Sequence, residues 1–181
     1  MSDEPRPAEN SRVILAILTN QTHANSYGVV HGGVILHIAD ECGALAALKH
    51  VGGGKMVTAA IDSMTFLGPV SIGERLEFTA EVTYVGRTSL EARIDIRSEL
   101  KGATESRLVA VGFGLYVAMD ELDQPKPVPR LVSATDADRR RDNAAQARQV
   151  ARLARRQEVR SDLQGDRDSL AFRGRTGLNP C

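Results

Sequence analysis

A long apolar segment lies between two glycine-rich turns, where residues 33–50 read GVILHIADECGALAALKH. Its apolar side chains surround the helical axis almost completely, and a helix of this kind is buried. The three glycines at 52–54 favour a helix end there. The segment therefore predicts one long buried helix over Gly33–His50.

The segments before and after this helix alternate between apolar and polar residues, which is typical of antiparallel strands with one buried face. The clearest alternation runs over residues 75–84 and 90–97, and a hairpin connects these two segments at 86–89. The other predicted strands cover residues 12–18, 57–67 and 108–118. One strand, one helix and then four strands in a meander predict an α+β fold, in which an antiparallel sheet wraps around the helix.

The predicted strand at 108–118 differs from the others because both of its faces are apolar. Gly112 and Gly114 lie on the same face, and the lack of side chains there lets another group approach the strand closely. We therefore expect this strand to be buried on both sides.

Composition and length indicate about one folded domain with a charged extension. Of the 181 residues, 42% are hydrophobic and 25% are charged, values that exclude a wholly disordered chain. Prolines interrupt the strand pattern after residue 124, and a segment rich in Ala, Arg and Gln follows them. We expect, in order, a flexible N-terminus (1–10), the domain (11–124), a proline-rich linker (125–133), a charged helical extension (134–160) and a disordered tail (161–181).

Charge and composition exclude several classes of function. The chain has 12 basic and 16 acidic residues up to position 130 and 11 and 7 beyond it, so its net charge of zero combines −4 and +4. The basic excess is modest and comes without a helix-turn-helix pattern, so we expect no nucleic-acid partner. No apolar run approaches the ~18 residues of a membrane span, and we expect no membrane insertion.

The cysteines and the N-terminal residues indicate the cellular compartment of the protein. Cys42 and Cys181 make neither a disulfide framework nor a metal pattern, and the first ten residues lack the features of a secretory signal. We therefore expect a cytoplasmic protein that uses no metal and no cofactor.

Polar residues that the strand pattern does not explain cluster between Asn25 and Glu41. Gly32 and Gly33 open the buried helix, where the first N–H groups lack helical acceptors and the helix dipole favours negative charge. Such N–H groups can form an oxyanion hole. Two glycines are equally compatible with a tight turn into the helix.

Asp40 lies in the middle of the apolar helix, where an uncompensated carboxylate is costly. It is eight residues beyond Gly32, which corresponds to roughly 12 Å along the helical axis. The carboxylate is either a functional group or one half of a salt bridge at an interface. Asn25 precedes the turn, and an Asx turn is the common use of asparagine at such a place.

Five short motifs occur in a fixed order within residues 12–130. They are Asn25-x-x-Gly28-x-Val30-His31-Gly32-Gly33-x-x-Leu36, Asp40-Glu41-x-Gly43-Ala44, Val57-Thr58-Ala59-Ala60-Ile61-Asp62-Ser63, Phe66-Leu67-x-Pro69 and Val85-Gly86-Arg87-Thr88-Ser89. Each is weak alone, but together they resemble the hot-dog-fold acyl-CoA thioesterases, more narrowly the cytosolic acyl-CoA hydrolase family.

This resemblance implies a hot-dog fold and the hydrolysis of acyl-CoA to free CoA and a fatty acid. Asp40 would be the catalytic carboxylate, and Gly32 or Gly33 would donate a backbone N–H to the thioester carbonyl. Asn25 would complete the site from the neighbouring protomer. A homodimer would then share its active sites, and such dimers often form trimers of dimers.

Thioester hydrolysis needs few catalytic groups because its leaving group is a thiolate, from a thiol of pKa about 8.5. One carboxylate that activates water or attacks the carbonyl is sufficient together with an oxyanion hole, and both roles of Asp40 stay open. No cofactor is required.

The phosphates of CoA need cationic or hydroxyl partners. A hairpin tip can present a guanidinium and hydroxyls together. The hairpin is equally compatible with an ordinary turn, and the alternative partners are tail arginines such as Arg139, Arg140 and Arg141. The candidate phosphate-binding residues of the hairpin are Gly86, Arg87, Thr88 and Ser89.

Two other functions compete with hydrolysis. The same fold could catalyse dehydration or hydration of a 3-hydroxyacyl thioester, for which His37 with Asp40 is the one candidate acid–base pair in the sequence. A non-catalytic acyl-CoA sensor or scaffold would bind the thioester without turnover. Release of a free thiol distinguishes hydrolysis from both.

Overall fold

The predicted helix is present as α1, Gly32–Val51, in a computed structural model that describes residues 4–100, 102–103, 105–132 and 135–175. It ends where Gly52 adopts a left-handed conformation with φ 87° and donates its N–H to the carbonyl of Leu48 at 3.0 Å. Eight of its 20 residues are buried, on the side that faces the sheet. One row of side chains four residues apart remains exposed and consists of His37, Glu41, Leu45 and Lys49.

The five predicted strands form one antiparallel sheet. Its order is β2-β4-β5-β6-β3. Two further strands of two residues, β1 and β7, form a separate parallel pair. The bounds are β1 Arg6–Pro7, β2 Val13–Leu18, β3 Lys55–Phe66, β4 Arg75–Val85, β5 Ser89–Glu99, β6 Arg107–Met119 and β7 Leu131–Val132.

The sheet confirms the α+β architecture, but the predicted four-stranded meander is wrong. Only β4, β5 and β6 follow one another as neighbours, whereas β3 lies beside β6 at the edge of the sheet. The connection from β3 to β4 contains Pro69 and Gly73 and is too long for a tight hairpin. It leads from the edge strand β3 to β4, which lies next to the opposite edge strand β2. Side-chain alternation identifies a strand without identifying its neighbour, which explains the error.

The core lies between α1 and the inner face of the sheet. One cluster of buried side chains joins the first half of α1 to β2, β4 and β5, and a second joins the end of α1 to β5 and β6. The largest wholly buried side chains of these clusters are Tyr116, Phe78, Leu76, Leu90, Ile94 and Ile96. This packing holds α1 in place against the sheet, and so it determines which strand residues each side chain of α1 faces.

The chain outside the sheet is more regular than predicted. β1 pairs with β7, and the Arg6 N–H donates to the Arg130 carbonyl at 2.8 Å, so backbone pairing joins the predicted N-terminal segment (1–10) to the predicted linker (125–133). The pairing is possible because β7 follows the last proline of the linker.

The C-terminal helix α2 spans Asp136–Arg175. It extends past residue 160 into the segment 161–181 for which a disordered tail is predicted, although residues 161–175 contain two glycines and three aspartates, which are poor helix formers. Residues 176–181 lie outside the described residues. The chain divides into two compact units, residues 1–142 and 143–181. Neither helix is long and apolar enough to cross a membrane, as far as the described residues extend.

Candidate active site

Asp40 and Thr58 meet at the middle of α1, where the helix faces β3. The Thr58 hydroxyl donates to Asp40 Oδ1 at 3.0 Å and lies 3.3 Å from Oδ2. Asp40 is half-buried, and in the described part of the chain it forms no ion pair, so it is not half of a salt bridge within one protomer. The hydroxyl leaves carboxylate lone pairs free for a further ligand. Thr58 belongs to one of the five sequence motifs, but no spacing in the sequence indicates its contact with Asp40.

Tyr116 on β6 approaches Asp40 from the buried side. Its hydroxyl donates to the Asp40 backbone carbonyl at 3.2 Å. Burial and the charge of Asp40 raise the pKa of Tyr116, so the phenol remains a donor. The tyrosine fills the space that Gly114 leaves on its own strand. The two glycines of β6 were the signal in the sequence that something packs closely there.

Cys42, two residues beyond Asp40, is an ordinary core residue. It is completely buried, and burial raises the pKa of its thiol to about 11. A thiol with this pKa stays protonated near neutral pH and is a poor nucleophile. The site therefore has no cysteine nucleophile on this helix.

The two glycines at the start of α1 differ in their availability. The Gly33 N–H already donates to Nδ1 of His31 at 2.8 Å, and His31 is the N-cap of the helix. A side chain on Gly33 would collide with this imidazole. For the Gly32 N–H no acceptor is recorded among the described residues, and the ring of Phe66 lies against the same glycine. Gly32 is thus the more accessible of the two predicted oxyanion donors.

Asn25 forms a turn in front of the helix. Its Oδ1 accepts hydrogen bonds from the backbone N–H of Tyr27 at 2.9 Å and of Val29 at 3.3 Å, which is the Asx-type use of asparagine. Within the described residues no hydrogen bond joins it to Asp40. The turn presents Tyr27 at its tip with 87% of that residue exposed. A single chain therefore does not bring the predicted pair of Asn25 and Asp40 together.

The hairpin between β4 and β5 has the predicted form. The Gly86 N–H donates to the Ser89 carbonyl at 2.8 Å, and Arg87 is exposed at the tip. The Arg87 carbonyl accepts from Val128 at 3.2 Å, and that of Thr88 from Ala118 at 3.1 Å. These bonds use the backbone, so the Arg87 guanidinium remains available to solvent.

The alternative phosphate ligands in the extension are less available. Arg139 pairs with Asp136 at 3.0 Å. Arg141 pairs with Asp138 and, at 3.2 Å, with Glu81. Two of the three arginines are thus occupied by carboxylates.

Comparison with known proteins assigns the family. The model of the thioesterase superfamily matches residues 27–103, which contain Gly32, Asp40, Thr58 and the hairpin. A solved apo-hexameric acyl-CoA thioesterase is 36% identical and superposes with a TM-score of 0.79 over 84% of this chain and 97% of that one. The chain belongs to the thioesterase superfamily. The predicted hot-dog fold and the family resemblance are thereby confirmed.

Two further relatives of this thioesterase-superfamily protein carry related names. An acyl-CoA hydrolase from Staphylococcus aureus, solved with butyryl coenzyme A, coenzyme A and coenzyme A disulfide, is 29% identical with a TM-score of 0.81 over 88% of this chain and 96% of that one. An uncharacterized acyl-CoA thioester hydrolase from Bacillus subtilis is 29% identical over 84% of this chain and 88% of its own length. Alanine variants of the S. aureus enzyme at an aspartate, an asparagine and a threonine were also solved.

In this thioesterase-superfamily chain, the candidate acid–base partner of Asp40 contacts another residue. His37 Nε2 lies 3.6 Å from Glu41 Oε1, one turn further along the exposed row, and not on Asp40. The described residues contain no group of three His, Cys, Asp or Glu side chains that could hold a metal ion. The site thus consists of a carboxylate with a hydroxyl donor and a free backbone N–H.

Proposed function

We propose that the protein hydrolyses acyl-CoA thioesters to free CoA and a fatty acid, with Asp40 as its catalytic carboxylate. The observation that carries the proposal is the hydrogen bond between Thr58 and Asp40, which holds a half-buried carboxylate at a defined place in a thioesterase fold. Relatives named as acyl-CoA hydrolases, one of them solved with butyryl coenzyme A, support the substrate class.

In the proposed mechanism the thioester carbonyl oxygen accepts a hydrogen bond from the Gly32 N–H, which stabilises the negative charge of the tetrahedral intermediate. Asp40 either takes a proton from the attacking water or attacks the carbonyl carbon itself. The CoA thiolate then leaves without a general acid, because its thiol has a pKa of about 8.5. Attack by water gives the fatty acid directly, whereas attack by Asp40 gives an acyl–aspartyl anhydride, which a water molecule then hydrolyses to the fatty acid and free Asp40.

The distance between these groups favours a shared site. Gly32 and Asp40 of one chain are eight residues apart on α1, roughly 12 Å along its axis, too far for both to contact one carbonyl group. A second copy that places its own Gly32 and Asn25 against Asp40 removes this difficulty. A homodimer would then carry two complete sites.

The edge of the sheet supplies a surface for this dimer. β3 pairs with β6 on one side only, as far as the described residues show, and its outer backbone groups are free to pair with another strand. Thr58 lies on this strand, so pairing through β3 would bring a second copy next to Asp40. A trimer of such dimers is consistent with the hexameric state of the apo-hexameric relative.

We assign the phosphates of CoA to the hairpin of Gly86, Arg87, Thr88 and Ser89, where Arg87 is exposed. Replacing Arg87 by alanine should raise KM for an acyl-CoA severalfold, because a guanidinium–phosphate contact is lost. It should leave the rate with an acyl thioester of N-acetylcysteamine, which has no phosphate, unchanged. Equal effects on both substrates would contradict the assignment.

Thiol release from short, medium and long acyl-CoAs tests the reaction itself. Hydrolysis predicts a free thiol and a fatty acid, and the series gives the chain-length preference. A 3-hydroxyacyl-CoA or enoyl-CoA that changes without releasing thiol would support the dehydratase or hydratase alternative instead. Binding of every acyl-CoA without turnover would support the sensor or scaffold.

The positions of His37 and Glu41 do not favour the dehydratase or hydratase. The cytoplasmic location remains a prediction.

A further inference from the structure

Tyr116 is a wholly buried polar residue that the proposed mechanism does not use. Its hydroxyl lies 3.2 Å from the Asp40 backbone carbonyl, between α1 and β6. A buried hydroxyl is normally found with a hydrogen-bond partner, and here the partner belongs to the residue that carries the proposed chemistry.

Two glycines make room for this side chain. A methyl group on Gly43 of α1 or on Gly114 of β6 would overlap the Tyr116 hydroxyl. Glycine within a helix or a strand lowers stability by roughly 0.5–1 kcal/mol relative to alanine. Gly43 and Gly114 thus each lower the stability of their own element, and each is needed because a larger residue would overlap Tyr116.

The sheet register relates Tyr116 to Thr58. The two residues are direct partners across the β3–β6 pair. The hydroxyl of Thr58 donates to the Asp40 carboxylate, and that of Tyr116 donates to the Asp40 backbone. One pair of facing strand residues therefore holds both ends of the same aspartate.

The chemistry of the phenol suits this task. Because burial and the charge of Asp40 raise the pKa of Tyr116, its hydroxyl stays protonated near neutral pH. Unlike a water molecule, it is fixed by the packing of α1 against β6. Its bond to the backbone carbonyl sets how far Asp40 lies from β6, while Thr58 restricts the rotation of the carboxylate. A misplaced catalytic group loses rate steeply.

We propose that Tyr116 is a positioning residue for thioester hydrolysis, which holds the backbone of Asp40 at the depth from which the carboxylate reaches the thioester. The proposal rests on the role of Asp40 in the proposed function. Tyr116 acts through Asp40 and does not itself contact the substrate.

Tyr116→Phe keeps the ring and removes the hydroxyl. We expect kcat for acyl-CoA hydrolysis to fall about tenfold with KM changed by less than about twofold, because substrate binding is untouched while the carboxylate is less well placed. Tyr84→Phe, the same chemical change on β4, is the matched control and should keep the wild-type kcat. Thermal unfolding of both variants establishes that they are folded at the assay temperature.

The same substitution in an Asp40→Asn background separates positioning from a structural effect. If Tyr116 acts through the carboxylate, it should change the residual rate of Asp40→Asn by less than about twofold. An unchanged kcat in Tyr116→Phe, or an equal loss in both backgrounds, would overturn the proposal. A wild-type rate in Asp40→Asn alone would instead contradict the proposed function.

Discussion

Asp40 and Thr58 come from different elements, and their hydrogen bond of 3.0 Å is the feature of the site that depends most on the fold. Asp40 is conspicuous in the sequence because an uncompensated carboxylate in an apolar helix costs free energy. Thr58 carried no such signal, because threonine is common in strands. Its role follows from the register of β3 with β6 and from the packing of α1, which alternation alone does not define.

Replacement of Thr58 by valine tests this hydrogen bond. Valine keeps the shape and the strand propensity, so the fold should persist. We expect kcat to fall about tenfold because the carboxylate loses its donor, with a small change in KM. Thr65→Val on the same strand is the matched control. A wild-type kcat in Thr58→Val would show that the contact has no catalytic role.

The glycine pair illustrates the limit of sequence reasoning at this scale. Gly32 and Gly33 were equivalent candidates for the oxyanion hole. The structure distinguishes them because the imidazole of His31 accepts the Gly33 N–H at 2.8 Å. Such a cap depends on the rotamer of one side chain, which no spacing in the sequence reveals.

At the scale of elements, α1 and the five strands of the sheet were predictable because each shows a clear period in its side chains. The position of β3 beside β6 was not, because the same alternation fits any neighbour. The pairing of β1 with β7 was also missed, since two-residue strands have no period. The sequence therefore predicted where the helix and the main strands lie, but not which strands pair with one another.

The end of α1 contains a pH-sensitive contact with the segment after β6. His50 is buried, and its Nε2 lies 3.0 Å from the Pro129 carbonyl. Burial lowers the pKa of His50 and the charge of Arg6 lowers it further, although the contact with Pro129 opposes them. The folded protein therefore binds fewer protons here than the unfolded chain, whose histidine titrates near 6.5.

Stability should thus be complete above pH 6.5 and fall as the pH drops below it. We expect the Tm of the wild type to decrease between about pH 7 and about pH 5, because the buried imidazole must acquire a charge. His50→Gln retains an N–H donor for Pro129 but does not titrate, so its Tm should decrease less over the same interval. Parallel decreases in both proteins would contradict this role of His50.

At the scale of the whole molecule, we propose that a second copy completes the site. Asn25 and Asp40 are not in contact within the described chain, and Gly32 is far from Asp40 along α1. The resemblance to the thioesterases implies a shared site, which stays a prediction. No pattern in one chain specifies how two copies meet.

A charge on the free edge of β3 tests the proposed dimer. Ser63 is exposed on this strand, and a lysine there would place like charges on two strands that pair with each other. We expect Ser63→Lys to shift sedimentation towards the monomer and to lower activity in parallel. Ser71→Lys, exposed outside this strand, is the control and should do neither. A monomer with full activity would exclude a shared site.

The most direct measurement of the central claim compares two neighbouring carboxylates on α1. Asp40→Ala and Glu41→Ala remove one acidic residue each, but Glu41 lies in the exposed row and Asp40 against Thr58. Thiol release from an acyl-CoA is measured for both variants, with folding checked by thermal unfolding. We predict that kcat of Asp40→Ala falls by at least about a hundredfold, while Glu41→Ala stays within about twofold of the wild type. A folded Asp40→Ala variant that hydrolyses acyl-CoA at the wild-type rate would contradict the account.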